Sequence, residues 1–207
     1  MIEPSVLTIF IPTFLVVSAT PGMCMTLAMT LGMTIGLRRA LYMMWGELLG
    51  VGLVSIAAVV GAAAVMLTYP VAFLLLKGVG GGYLCWLGVQ MWQAKGKMAM
   101  GGDNQRGKNC SDRELFIQGF ITAVANPKGW AFMISLLPPF IDPERRLLPQ
   151  MSILLAIILT IEFLCLILYA SGGKTLRNLL KRRSSVLLLN RISGTLMLGV
   201  GIWLALG

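Results

Sequence analysis

The chain has 207 residues, of which 57% are hydrophobic and only 12% charged, with 17 Lys and Arg against 8 Asp and Glu, a net charge of +9 and no histidine. A soluble domain carries roughly a quarter charged residues, so this composition excludes an ordinary soluble fold and points to an all-α integral membrane protein. The missing histidine excludes Ser-His and Cys-His nucleophile pairs and disfavours a zinc site.

Apolar stretches long enough to cross a hydrocarbon core of about 30 Å fall near 6–28, 40–67, 71–92, 115–140, 149–171 and 186–206. Six such spans use most of the chain. Short turns and one loop, Gln93 to Arg113, are all that is left over, too little for a soluble domain with its own core. In the first stretch Ser18-Ala19-Thr20 loosely resembles a signal-peptide cleavage site. No positive segment precedes it and the apolar run continues past Pro21, so the segment reads as an uncleaved first helix.

Span 1 is interrupted by Thr20-Pro21-Gly22 and span 4 by Asn126-Pro127-Lys128-Gly129. Proline removes a helix hydrogen bond and clashes with the preceding turn, and glycine lets the chain leave helical geometry. The freed backbone groups are tolerated at membrane depth only where protein or a water-filled cavity satisfies them. Each break alone is equally an ordinary proline kink. Two breaks at matching places, each beside a side chain that hydrogen-bonds, favour a binding cavity.

Four ionisable residues lie within the apolar stretches: Glu47 in span 2, Lys77 in span 3, Lys128 at the span 4 break and Glu162 in span 5. Charge inside a bilayer is costly, so such residues are functional candidates unless they form structural ion pairs. Cys24, Cys85, Cys110 and Cys165 show no CxxC spacing and read as small apolar residues, neither a disulfide framework nor a metal site.

The basic residues sit in alternate loops: Arg38 and Arg39; then Lys95, Lys97, Arg106, Lys108 and Arg113; then Lys174, Arg177, Lys181, Arg182 and Arg183. The positive-inside rule places loops 1, 3 and 5 in the cytoplasm and both termini outside. The net positive charge is thereby read as a topology signal touching anionic lipid headgroups, with no nucleic-acid partner.

Cutting the chain in the loop at about 93–113 gives repeat 1, about 1–92, and repeat 2, about 114–207, both within one transporter domain. Three spans per half make the second half lie inverted. Phe10-Ile11-x-x-Phe14 with Ala19-x-Pro21 matches Phe116-Ile117-x-x-Phe120 with Ala125-x-Pro127, and Leu74-Leu75-Leu76-x-x-Val79-x-Gly81 matches Leu187-Leu188-Leu189-x-x-Ile192-x-Gly194. Inverted repeats with an interrupted helix in each half point to a transporter's central site. Glu47 and Glu162 then become rough equivalents across the pseudo-twofold axis.

Several motifs resemble a known family over nearly the whole chain. They are Ala19-Thr20-Pro21-Gly22 followed by Gly36-Leu37-Arg38-Arg39-Ala40; Leu76-Lys77-Gly78-Val79-Gly80 with Tyr83-Leu84-x-Trp86-Leu87-Gly88; Asn126-Pro127-Lys128 with Phe132 and Pro138-x-Phe140; Glu162 with Tyr169-Ala170; and Asn190-Arg191-x-x-Gly194. Together they resemble the LysE/RhtB-type amino-acid exporters of bacterial inner membranes. Two departures fall beside the expected cavity: Met23-Cys24 stands where the family often has Pro-Asn, and Glu47 stands where many members are apolar or neutral.

The resemblance implies efflux of amino acids or related carboxylate-bearing metabolites from the cell, driven by proton antiport, with no cofactor. The expected substrate contacts are Thr20, Pro21, Gly22, Glu47, Asn126, Pro127, Lys128 and Glu162, with Glu162 and Glu47 as candidates for proton coupling. Half-helices starting at the breaks would aim their N-termini at a substrate carboxylate, helped by Lys128. Gly78, Gly80, Gly81 and Gly82 permit close helix contact within one chain or in a homodimer. A metal-ion exporter of a related family and, behind it, an intramembrane enzyme using a Ser-Lys pair are the rival readings.

Overall fold

The computed structural model describes residues 4–68, 70–93, 110–142, 145–181 and 183–206. Lys95, Lys97, Arg106 and Lys108 fall outside the described residues, as do the side chains of Lys77, Lys174, Arg177, Lys181, Arg182 and Arg183. Helices account for nearly everything described, and no strand occurs among the described residues. In chain order they are α1 (Pro4–Ala19), α2 (Met23–Ile35), α3 (Leu37–Thr68), α4 (Pro70–Gln93), α5 (Asp112–Val124), α6 (Pro127–Leu136), a 3-10 turn (Pro138–Phe140), α7 (Leu147–Lys181) and α8 (Arg183–Leu206).

Among the described residues two helices contain stretches long and apolar enough to cross a membrane, Leu37–Gly61 in α3 and Leu147–Gly172 in α7. Phe10–Ala19 and Met23–Ile35 qualify as a third when taken as one segment bent by 55°. The bend falls on Thr20-Pro21-Gly22, where Pro21 has no N–H to continue the ladder. A corresponding interruption separates α5 from α6, with Pro127 at the first position of α6, where the missing donor does least harm.

On α3 the two faces separate by exposure although both are apolar. Trp45, Leu49, Leu53, Ile56 and Val60 point outward, while Val54, Ala58 and the fully buried Glu47 point inward. The 3- and 4-residue spacings place each set on one side of the helix. Apolar side chains turned outward are what a hydrocarbon solvent accepts.

Glycine permits the closest helix contacts. A Cβ on Gly46 of α3 would overlap the carbonyl oxygen of Phe116 in α5, and one on Gly119 of α5 would overlap the carbonyl of Met43 in α3. The two helices thus touch backbone to backbone through reciprocal glycines, the small-residue contact that membrane helices use. Gly88 of α4 and Gly194 of α8 make a second reciprocal contact, each Cβ position lying 2.7 Å from the other residue's carbonyl oxygen. Farther along the same pair Gly81 lies against Gly201 of α8, while Gly78 and Gly82 face open space. Between α2 and α3 the chain turns at Gly36, whose φ of 81° strains any residue with a Cβ.

The start of α5 is fixed by a capping box. The Ser111 hydroxyl accepts from the Glu114 N–H at 3.3 Å, and the Ser111 N–H donates to the Glu114 carboxylate at 2.6 Å. Arg39 at the head of α3 reaches Asp112 at 3.5 Å and donates to the Cys110 carbonyl, joining the two helix starts. The Ser111 backbone and hydroxyl donors hold the Glu114 carboxyl below its ordinary pKa. A carboxyl whose folded-state pKa is lowered adds stability above its unfolded pKa and loses it as pH falls through the folded value. Amide exchange in the first turn of α5, corrected for intrinsic rates, should therefore stay slow at neutral pH and accelerate on acidification through that lowered range. Glu114→Gln should remove this acid dependence.

Candidate functional site

The break in the first segment frees carbonyl groups, and side chains from distant helices take them up. Pro21 cannot donate to Val17, and the Lys128 ammonium donates to the Val17 carbonyl instead, at 3.2 Å. The Ala19 carbonyl accepts from the Tyr169 hydroxyl at 2.8 Å. Thr20 donates its hydroxyl to the Val16 carbonyl at 2.7 Å, and the Thr20 hydroxyl oxygen also lies 2.6 Å from Ser193 Oγ. At the second break the Lys128 N–H leaves the helix ladder for the Asn126 side-chain oxygen at 3.1 Å, and the Val124 carbonyl accepts from the Trp130 indole at 2.8 Å. Both breaks are thus satisfied by protein, as membrane depth requires.

The two breaks border one cavity of about 70 Å³. At roughly 10–15 Å³ per water this is room for about five to seven waters, or some 140–210 Å³ of liquid, the scale of one amino acid. Six of the eight expected site residues line it: Thr20, Gly22, Glu47, Asn126, Lys128 and Glu162. Pro21 and Pro127 are not in the lining and act by setting the breaks.

Charge in the cavity is arranged unevenly. Glu162 accepts from the Ser18 hydroxyl at 2.6 Å, and Lys128 lies within its electrostatic reach. Glu47 is 0% exposed, and neither of its carboxyl oxygens has a hydrogen-bond partner in good geometry among the described residues. The Glu162 carboxyl and the Cys24 thiol lie close enough to interact with it, each through a weak side-chain hydrogen bond. Buried polar groups are nearly always paired, and a buried carboxyl without a well-aligned donor is a strong exception.

The opposite sign gathers at the start of α2. Its N-cap, Gly22, offers no side-chain cap, so the first N–H groups of the helix carry the positive end of its dipole unshielded by a side chain. The Lys128 ammonium hangs beside this end, 4.0 Å from where a Gly22 Cβ would stand. The N-terminus of α6 is by contrast closed by Asn126. The Lys128 ammonium and the open start of α2 at Gly22 therefore border the same small space as the Glu47 and Glu162 carboxyls.

Sequence reasoning missed Ser18 as the partner of Glu162 and Tyr169 as the cap on Ala19. The unused backbone acceptor that Pro21 leaves behind was the available signal, though it does not say which side chain answers it. Cys24 lines the cavity and receives a long contact from the Asn126 amide at 3.8 Å. None of the four cysteines forms a disulfide, and no three His, Cys, Asp or Glu side chains converge among the described residues.

Related proteins agree with a transport role. An uncharacterized membrane protein of Vibrio cholerae serotype O1 is 26% identical over 196 residues, 95% of this chain and 94% of that protein. The homoserine/homoserine lactone efflux protein of Salmonella typhi is 29% identical over 156 residues, 75% of this chain and 74% of its own length. The leucine efflux protein of Klebsiella pneumoniae subsp. pneumoniae is 26% identical over 163 residues, covering 77% of this chain and 76% of that protein. No solved structure matches the chain. The family model for the LysE type translocator matches residues 15–207, and the chain belongs to that family of membrane transporters.

Proposed function

We propose that the protein exports amino acids or related small carboxylate-bearing metabolites across the bacterial inner membrane by proton antiport, and that it is not an enzyme. The observation that carries this reading is the fully buried Glu47 carboxyl, held by no strong hydrogen bond, lining one cavity with the Lys128 ammonium and the open start of α2. The cargo ammonium meets Glu47, and its carboxylate meets Lys128 and the first N–H groups of α2. Glu162, tied to Ser18 and within reach of Lys128 and Glu47, exchanges the coupling proton.

The Salmonella relative is named for efflux of homoserine and of its lactone. Those two molecules share an amine and differ at the carboxyl, so the amine is the group both must present. An acid with no strong partner of its own is the natural receiver. A metal-ion cargo finds no set of three ligands among the described residues.

The same reading holds six spans in two inverted three-helix halves, with loops 1, 3 and 5 in the cytoplasm and both termini outside. It is supported by the two proline breaks at matching places and by the alternating loop charge. Rocking of the halves about the cavity would expose it to each side in turn, in contact with membrane lipid and with or without a second copy.

Blocking each end of the cargo tests the site. In proteoliposomes holding the full chain, an amino acid should be carried, its N-acetyl form should be carried at least about tenfold more slowly, and its methyl ester should fall between. Loss of one charge-assisted hydrogen bond, about 1.5–3 kcal/mol, accounts for that scale. Equal transport of the N-acetyl form would remove Glu47 from the site.

A further inference from the structure

We infer that the cargo side chain is apolar and of leucine or methionine size; this deepens, and rests on, the amino-acid export reading above. Three helices lead from the charged poles to apolar residues in the same direction. On α3, Val51 and Val54 follow Glu47 by four and seven positions on one face, reaching about 10 Å along the axis. On α6, Phe132 and Met133 follow Lys128 by about one turn, and on α1 Phe14 precedes Ser18 by one turn. These residues meet: the Phe14 and Phe132 rings are 5.8 Å apart, and the Ser55 hydroxyl next to Val54 lies 3.5 Å from the Met133 sulfur.

The wall residues Phe14, Val51, Val54, Phe132 and Met133 carry no strong hydrogen-bonding group for a cargo side chain, and the Asn126 amide, which reaches the Cys24 sulfur at 3.8 Å, stands at the start of α6 beside Lys128. Ser55 donates to the Val51 carbonyl at 2.8 Å, Ser18 to Glu162, and Thr20 to the Val16 carbonyl. The Asn126 oxygen is held by the Lys128 N–H. A cargo hydroxyl or amide entering this wall would lose its water and find no partner. Flexible Met133 and the two aromatic rings instead offer polarizable surface to an unbranched thioether or a branched aliphatic chain. With room for about five to seven waters, the cavity takes one such residue and no larger peptide.

The test is exchange of labelled leucine in proteoliposomes of the full chain, driven by unlabelled leucine, methionine, homoserine or glutamine on the other side. Leucine and methionine should drive exchange about 10- to 100-fold better than homoserine or glutamine, the range by which an apolar pocket discriminates. Val54→Thr keeps the side-chain shape and adds a hydroxyl, so it should narrow the leucine-to-homoserine ratio several-fold. Met133→Gln should do the same by an independent route if Val54→Thr does not accumulate. Homoserine or glutamine exchanging as well as leucine would overturn the side-chain assignment while leaving amino-acid export standing. An unchanged ratio in both variants would overturn the wall named here. Exchange with none of the four would remove the export reading and this inference with it.

Discussion

Glu47→Gln should raise the KM for amino-acid export roughly 10- to 100-fold while leaving the amount of protein in the membrane unchanged. Glu47 is fully buried, and its only donor contact among the described residues is the weak one from the Cys24 thiol, which a glutamine oxygen still accepts. Glutamine fills the same volume. What disappears is the charge that receives the cargo ammonium, and a charge-assisted hydrogen bond of about 1.5–3 kcal/mol corresponds to that loss of affinity. Glu162→Gln should act on a different quantity. Its amide oxygen still accepts from Ser18, so the α1–α7 contact survives, but no proton is left to exchange. Residual efflux should then stop responding to an imposed proton gradient. The two variants separate binding from coupling, and an unchanged KM in Glu47→Gln would return the ammonium to Glu162. Low abundance of both would make the carboxyls structural.

Gly119→Val should abolish accumulation of the folded protein, the largest effect expected from any single substitution away from the cavity. Its Cβ would enter the Met43 carbonyl and come 2.9 Å from the Glu47 N–H, in a contact made of backbone on both sides. Backbone cannot turn aside as a side chain end can, so α3 and α5 must separate, and Glu47 moves with α3. Overpacking a tight core costs about 1–3 kcal/mol even where side chains yield, and valine adds two further methyl groups. Gly119→Ala should lower the melting temperature measurably, and Gly46→Ala should do likewise through Phe116. Gly61→Ala is the control, because its Cβ meets nothing within 4 Å. Alanine in that helix interior should be neutral or stabilising by up to about 1 kcal/mol. Equal behaviour of Gly119→Ala and Gly61→Ala would contradict the α3–α5 packing.

What was legible in the sequence followed from local chemistry. Proline and glycine act on the chain around them whatever the tertiary context, so Thr20-Pro21-Gly22 and Asn126-Pro127 announce helix ends, and α1 and α5 stop beside them. Membership of the LysE type translocator family was likewise carried by residues in contiguous motifs. Facing was not legible. In a membrane helix both sides are apolar, so Trp45, Leu49 and Leu53 look no different in the sequence from inward Val54 and Ala58. The partners of the breaks depend on contacts across more than 100 positions: Lys128 with Val17, Glu162 with Ser18, Tyr169 with Ala19. In the sequence Glu162 belongs to a family motif while Glu47 departs from the family pattern. The distinction that now matters, Glu162 held by a short Ser18 hydrogen bond and Glu47 without one, arises entirely from packing.

Proton-driven accumulation of a free amino acid tests the central claim most directly. Purified protein is placed in liposomes with an acidic lumen and a neutral exterior, and labelled leucine and methionine are supplied outside. Antiport predicts that protons leaving the lumen drive the amino acid inward above its external concentration, that a protonophore releases it, and that Glu162→Gln abolishes the accumulation. Uptake that only equilibrates, at the same rate with and without the gradient, would contradict proton antiport. Accumulation of cadmium in place of any amino acid would contradict the cargo.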